Sequence, residues 1–544
     1  AVGLLDDQRD EVADLLSGDV SLEVLRGALD AGEWVADLMG EAGGHRAQRG
    51  QAVLLRGGRV VNADLSRDAD VLIDGGKIVR VAPGIAAPAG AKVVDCAGKL
   101  VMPGGIDPHT HLDMPFMGQI TADDYQTGQE AALAGGTTMH IDFALPVDKD
   151  LRKGYEVWSE KAKRSVMDYG FHMAVFSWSD KVAADMKWLT EQGVNSFKFF
   201  LAYKGALMVE DDEFLKGLQQ CKKIGAVAMV HCENGHAVAE GQQAVFDSGC
   251  TDGPECHALS RPKVLETEAT ARAIHMAAFV NTPLYIVHVM AGGAAQEVMR
   301  ARQNGQRVIG EPIASGLFWT QEKMWDKDWD TAAQYVMSPP IREAEDRQIL
   351  RRGLAQGHLQ LVGTDHAVFN STQKRLGRND FRIIPNGVNG LEERLHITWE
   401  TMVNTGMISE NRFVEVTSTE CAKIFNIYPR KGYVGEGSDA DVIVFVPAVE
   451  HTIRAKDHHS AMDTNIYEGV KIKGRVTHTV SRGKVVWENG VLTTERGAGR
   501  FVETPAFSPH LFDGLEKNDD YRKGLEMGAP IPRSSAAPLG RSEL

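Results

Sequence analysis

His109 and His111, in the run KLVMPGGIDPHTHLDMPF, are two imidazoles separated by a single residue. Side chains alternate with a period of two along an extended strand, so both rings point to one face and can reach one metal ion. A lone His-x-His is weak evidence, because surface and core histidines produce it by chance. Further groups able to complete such a site stand at or near the ends of other short apolar runs: Lys198 in SFKFFLAY, His231 in AVAMVHC, His288 in PLYIVHV and Asp365 in LQLVGTD. Taken singly, His231 or His288 is better read as a hydrogen-bonded core histidine. Five separate runs delivering such residues are much harder to read that way. His140 and His172 lie within runs that carry no comparable partner motif and are read as structural.

Lys198 is the most informative of these residues because its neighbours are aromatic and apolar. A buried ammonium is costly unless it is paired or neutralised. A neutral lysine amine combines with carbon dioxide to give a carbamate, an anionic bridging ligand. The spacing fits equally a lysine that lays its stem along a cavity mouth and keeps its head in water. Four imidazoles and one carboxylate are few for two divalent ions sharing a site. A carboxylated Lys198 would supply the missing bridge and hold the ions about 3.5 to 4 Å apart.

The elements that must position these groups follow from the pattern around them. Eight short apolar runs (LVMPGGIDPH, TTMHIDFAL, FHMAVF, SFKFFLAY, AVAMVHC, PLYIVHV, RVIGEP and LQLVGTD) alternate with longer helix-forming stretches, the pattern of parallel βα units. Eight such units predict an α/β fold, a (β/α)8 barrel, in which function gathers at the C-terminal ends of the strands. The residues named above fall at those ends. Outside this region, AVLLRGGRVVNAD, DVLIDGGKIVRVAP and KVVDCAGKLVMP on one side and DADVIVFVPAV, VKIKGRVTHTVSRG and KVVWENGVL on the other read as antiparallel strands. They predict a flanking β-sandwich built from both ends of the chain. The expected division is a helical extension over 1–50, with two short amphipathic helices broken near Gly32, then sandwich strands over 51–104. The barrel follows over 105–429, the rest of the sandwich over 430–500 and a tail over 501–544.

Composition agrees with this division. A chain of 544 residues exceeds the size at which one core stops growing. Its 43% hydrophobic and 24% charged residues are those of a globular protein. A net charge of -15 excludes a sequence-independent nucleic-acid binder, which needs a basic face. No run approaches the length of apolar sequence that spans a bilayer, and AVGLLDDQRDEV lacks the regions of a signal peptide, so no membrane partner and a cytoplasmic location are expected. The six cysteines form no C-x-x-C pair and are read as reduced thiols, mostly in the core.

GGIDPHTHLDMPF, SFKFFLAYKG, VHCENG, YIVHV, VGTDH and IPNGVNGLEER together resemble, in order and separation, the motifs of the dihydropyrimidinase and hydantoinase family of cyclic amidohydrolases, from about residue 52 to the C-terminal sheet and beyond. The resemblance implies His109, His111 and Asp365 on one divalent metal ion, His231 and His288 on a second, and an N6-carboxylated Lys198 bridging both. Zinc is the usual ion, and manganese or cobalt suits the same nitrogen and oxygen ligands. It further implies Asp365 as general acid-base, Tyr203 as a donor to the developing oxyanion, and Ser338 and Asn386 as positions whose backbone groups recognise a cyclic imide. The implied activity is hydrolytic ring opening of 5,6-dihydrouracil, dihydrothymine or 5-substituted hydantoins to N-carbamoyl amino acids, with allantoin or another cyclic ureide as the alternative substrate. A small-molecule cyclic amide is thus the expected partner, in a homotetramer or homodimer.

Dihydroorotases of the same superfamily carry an arginine shortly after the His-x-His to pair a substrate carboxylate. Leu112 and Asp113 stand here instead, which favours a neutral ring. Met114, Phe116 and Met117 are read either as an apolar wall for the ring substituent or as lid packing. Ala367 follows Asp365-His366 where relatives often carry cysteine. Some relatives are non-enzymatic scaffolds that have lost metal ligands, whereas all six ligand positions are filled in this chain.

Overall fold

Seven short strands run parallel, side by side in chain order: Gly105–Thr110, Thr137–Ala144, Asp168–Ala174, Ser196–Phe200, Val227–His231, Leu284–Ile286 and Val308–Gly310. They are seen in a computed structural model that describes residues 51–515. Nearly every residue in them is buried, as befits parallel strands covered on both faces. Helices return the chain between strands, among them Thr127–Ala134, Leu151–Lys161, Asp180–Glu191, Asp211–Ile224, Lys263–Val280 and Gly292–Gln303. Asp211–Ile224 shows why such segments are helical. Glu210 and Glu213 form a capping box, acidic residues fill the first turn, Lys222 and Lys223 the last, and Gly225 ends it at φ +69°.

The eighth expected strand is present in position but not as a regular strand. The run around Leu359–Asp365 lies beside the seventh strand through Gln360 N to Gly310 O at 3.1 Å and Gly363 N to Pro312 O at 3.2 Å. The first strand reaches it through His111 N to His366 O at 2.9 Å, with single bridges Ile313–Gly363 and Thr110–His366. The ring therefore closes, with gaps in the ladder. Asp365, at φ +52°, leaves the extended region and interrupts the pairing.

The strands outside the barrel form one continuous nine-stranded sheet, in the order Val491–Leu492, Lys484–Glu488, Lys471–Ser481, Val442–Thr452, Leu100–Pro103, Val53–Val61, Ser66–Asp74, Lys77–Ala82, with Lys92–Asp95 also on Val53–Val61. It joins both ends of the described chain, as expected, but is mixed and not purely antiparallel. Val53–Val61 pairs parallel with both Lys92–Asp95 and Leu100–Pro103, because after the hairpin Ser66–Asp74/Lys77–Ala82 the chain crosses to the other edge and enters in the same direction. Alternation gives this sheet two apolar faces. Val442 and Val444 pack with Val53, Leu55, Val71 and Val480, whereas Ile443 and Phe445 join the large cluster that includes the barrel helices.

Cys250 and Cys256, with Cα atoms 5.8 Å apart, are joined as a disulfide, which corrects the expectation of six reduced thiols. The turn before Pro254 sets them within bridging distance, and spacing alone does not reveal that. Cys96, Cys221, Cys232 and Cys421 are free and buried. No described helix is long and apolar enough to cross a membrane. The expectations for residues 1–50 and for the tail beyond residue 515 lie outside the described residues.

Candidate active site

The parallel strands end on one rim, and the groups singled out by the sequence meet there. His109 lies in the first strand with His111 just beyond it, Lys198 is in the fourth, His231 ends the fifth, and His288 and Asp365 follow the sixth strand and the eighth segment. All six are buried. Asp365 Oδ1 stands 3.1 Å from His109 Nε2 and 3.2 Å from His111 Nε2. His231 Nδ1 and His288 Nε2 face each other at 2.8 Å. The Lys198 amine lies over the rings of Phe143 and Phe200, 4.5 and 5.0 Å from their centroids.

Two carboxylates that the sequence reading overlooked orient these rings. Glu311 Oε1 accepts from His109 Nδ1 at 2.7 Å and from the His288 backbone N–H at 3.0 Å, and its other oxygen takes the Tyr285 hydroxyl. Glu233 holds His231 Nε2 at 2.9 Å and is itself held by Arg261 at 2.7 Å. Fixing one ring nitrogen as a donor leaves the other facing the centre of the site, where it offers a lone pair once any proton on it is displaced. Glu311 ends the seventh apolar run, RVIGEP. The strand-end logic that found the other residues would have found it had charge been sought on every run. His140, bonded to Thr110 and Gln129, and His172, bonded to Ser196 and Pro108, are structural as expected.

The electrostatics favour a cation at the centre. Burial pushes Lys198 down to about 8, with Asp365 and Glu311 partly opposing, so a sizeable fraction of its amine is neutral near pH 7 to 8. Burial lowers His111 to about 4 and also lowers His231 and His288, keeping these imidazoles unprotonated. At His109 burial is outweighed by Glu311 and Asp365, which hold the ring up at about 9. Burial raises Asp365, but His109 and the hydrogen bonds of His109 and His111 hold it well below the usual carboxylate range. His109 Nε2 is nevertheless buried without a well-aligned hydrogen-bond partner. His109, His288 and Asp365 offer ligand atoms within 4.8 Å of one another. Imidazole nitrogens and a carboxylate oxygen in this arrangement suit a divalent ion.

Above the donor set is a cavity of about 80 Å³, lined by His111, Lys198, Tyr203, His231, His288, Ser338, Asp365 and Asn386 together with Met114, Phe116, Leu145, Ala367 and Gly387. It has room for a small ring. Met114 and Phe116 form part of its wall, while Met117 is 38% exposed. Tyr203 is half-buried, and burial pushes its phenol up to about 12, so it remains a donor. Asn386 Nδ2 donates to Ser338 Oγ at 3.0 Å. Gly387, at φ +152°, passes so close to Ala367 that a Cβ would stand 2.0 Å from its carbonyl oxygen. Tyr203, His288 and Asp365 all have positive φ, at +63°, +36° and +52°. Such conformations are costly for residues with a Cβ and cluster where a site over-determines the backbone.

Comparison with known proteins agrees with this geometry. The amidohydrolase family model matches residues 100–486. A dihydropyrimidinase of Arabidopsis thaliana is 56% identical over 88% of this chain and 90% of its own. The crystal structure of dihydropyrimidinase from Brevibacillus agri superimposes with a TM-score of 0.82 at 41% identity, covering 84% of this chain and 99% of that one. A D-hydantoinase structure from a Bacillus species gives 0.81 at 40% identity with the same coverage. Membership implies a divalent metal at the donor set and a small-molecule substrate. This chain belongs to the amidohydrolase family, in the branch that holds the dihydropyrimidinases and hydantoinases.

Proposed function

We propose that the chain is a dihydropyrimidinase, which hydrolyses the ring amide of 5,6-dihydrouracil or dihydrothymine, and of 5-substituted hydantoins, to N-carbamoyl amino acids. The observation that carries this reading is the convergence of four imidazoles and Asp365 around the buried Lys198 amine, beneath a cavity sized for one ring. His109, His111 and Asp365 would hold one divalent ion, preferably zinc, and His231 and His288 a second, with Lys198 carboxylated to bridge them. When bound, such a pair lowers the pKa of a water and polarises a carbonyl.

The residues of the chain supply the rest. Asp365 accepts the proton of the attacking water and returns it to the departing ring nitrogen. Tyr203 donates to the oxygen that gains charge in the transition state. The backbone groups of Ser338 and Asn386 hold the imide edge, and the wall of Met114 and Phe116 keeps bulk water from the reacting centre. The assembly fitting this reading is a homotetramer or homodimer, and light scattering that gives a monomer would exclude both.

Product identification with dihydrouracil and hydantoin as competing substrates tests the assignment. N-carbamoyl products from either ring are expected, and turnover of allantoin alone would overturn the reading.

A further inference from the structure

Three lysines are buried among the described residues, Lys198, Lys374 and Lys431, and their amines are accommodated differently. Lys431 sits among the carboxylates of Asp168, Asp439 and Asp441. Lys198 stands at the donor set over two aromatic rings. Lys374 points its amine at three backbone carbonyl oxygens, those of Val336 at 2.9 Å, Pro385 at 2.6 Å and Gly387 at 2.8 Å. An ammonium has three N–H donors and no acceptor, so three carbonyls use its whole capacity. Burial, with no carboxylate offsetting it, pushes this amine down to about 7, and the three accepting carbonyls oppose that by favouring the ammonium, the only form with a donor for each. A lone buried charge is expensive, so what its three partners do bears on why the fold keeps it.

The partners belong to two loops. Val336 precedes Ser338 by two residues, and Pro385 and Gly387 flank Asn386. Ser338 and Asn386 both line the cavity and are hydrogen-bonded to each other. A charged donor on a peptide carbonyl polarises that peptide and strengthens the N–H on its other side. For the Pro385 carbonyl, that N–H is the backbone N–H of Asn386.

Resting on the ring-opening reading above, we propose that Lys374 is a positioning residue for substrate recognition. It fixes the two loops that present Ser338 and Asn386 and makes the Asn386 N–H a stronger donor toward the substrate's ring amide. Lys374 lies outside the metal-ligand set and acts only through these peptide groups.

Two variants separate this role from simple support of the fold. Lys374→Gln keeps two N–H donors without the charge, and Lys374→Met keeps the length with neither. KM and kcat are measured for the better of dihydrouracil and hydantoin, with metal content and melting temperature recorded for each protein. KM is expected to rise about tenfold in Lys374→Gln and further in Lys374→Met, with kcat per metal-loaded chain within about threefold of wild type. An unchanged KM in either folded variant, a fall in kcat with a flat KM, or failure of both variants to fold would overturn the proposal. A wild type that opens neither ring would defeat the ring-opening reading and this proposal with it. A fully active wild type whose variants keep its KM defeats this proposal alone.

Discussion

Glu311 holds His109 through its side chain and His288 through its backbone, and so couples the expected ligands of both ions. Replacing it with glutamine keeps the size but removes the charge that sets the His109 tautomer. Glu311→Gln is expected to lower metal affinity about ten- to a hundredfold, measured by chelator titration, and an unchanged midpoint would rule out this role. Tyr203→Phe removes only the phenolic donor, and kcat is expected to fall about 10²- to 10³-fold with KM little changed. Five of the six were legible in the sequence because an imidazole or carboxylate closing an apolar run is conspicuous, and Lys198, in the middle of the strand Ser196–Phe200, because it is a charge among aromatic residues. Glu233 and Glu311 were harder to see, since their value lies in which ring nitrogen they touch. The positive φ at Tyr203, His288 and Asp365 leaves no compositional trace, because none of the three is glycine.

At the scale of elements, the irregular eighth segment is tied into the barrel by a residue distant in sequence. Arg394 is fully buried, donates to Val362 O at 2.9 Å and to Thr137 Oγ1 at 3.2 Å, and faces Asp107 at 3.8 Å. Asp107 in turn accepts from Thr364 Oγ1 at 2.7 Å and from the His109 N–H at 3.1 Å, so this pair braces the approach to the donor set. Arg394→Met would strand a buried carboxylate, and a loss of about 3 to 5 kcal/mol is expected in urea unfolding; a loss below about 1 kcal/mol would show that the pair braces nothing. Eight apolar runs in alternation with helices made the barrel legible. Its first run, LVMPGGIDPH, spans two elements: LVMP is also legible as the end of a sheet strand, and Leu100–Pro103 belongs to the flanking sheet and Gly105–Thr110 to the barrel. Both halves are buried throughout, so burial alone has no mark at Gly104. The parallel pairings of Val53–Val61 were hidden for a similar reason, because alternation shows which face a side chain takes and not the direction of the neighbouring strand.

Across the described molecule, sheet and barrel meet at a cluster of charge on the side of the barrel away from the donor set. Asp168 starts the third barrel strand, and Lys431 joins it to Asp439 and Asp441 beside the sheet strand Val442–Thr452. Burial pushes Asp439 up, but Lys431, with Lys77 and Arg430, outweighs it and holds the carboxyl at about 2, below its ordinary 3.8. A depressed folded-state pKa gives stability that is complete above the unfolded value and is lost as pH falls through the folded one. The melting-temperature gap between wild type and Asp439→Asn should therefore hold down to about pH 4 and close toward pH 2. A gap independent of pH would refute the linkage. The cluster lies at the strand-start end of the barrel, where residues serve stability, and the donor set at the opposite end, where they serve chemistry.

The central claim is that a lysine deprived of water becomes the anion binding two cations together. Carbon-13 magnetic resonance of metal-loaded protein equilibrated with labelled bicarbonate, run beside Lys198→Ala, tests it most directly. A carbamate carbon is expected in the wild type and absent from the variant, which should also lose metal and nearly all turnover. A wild type that opens dihydrouracil at full rate with no such carbon would contradict the account.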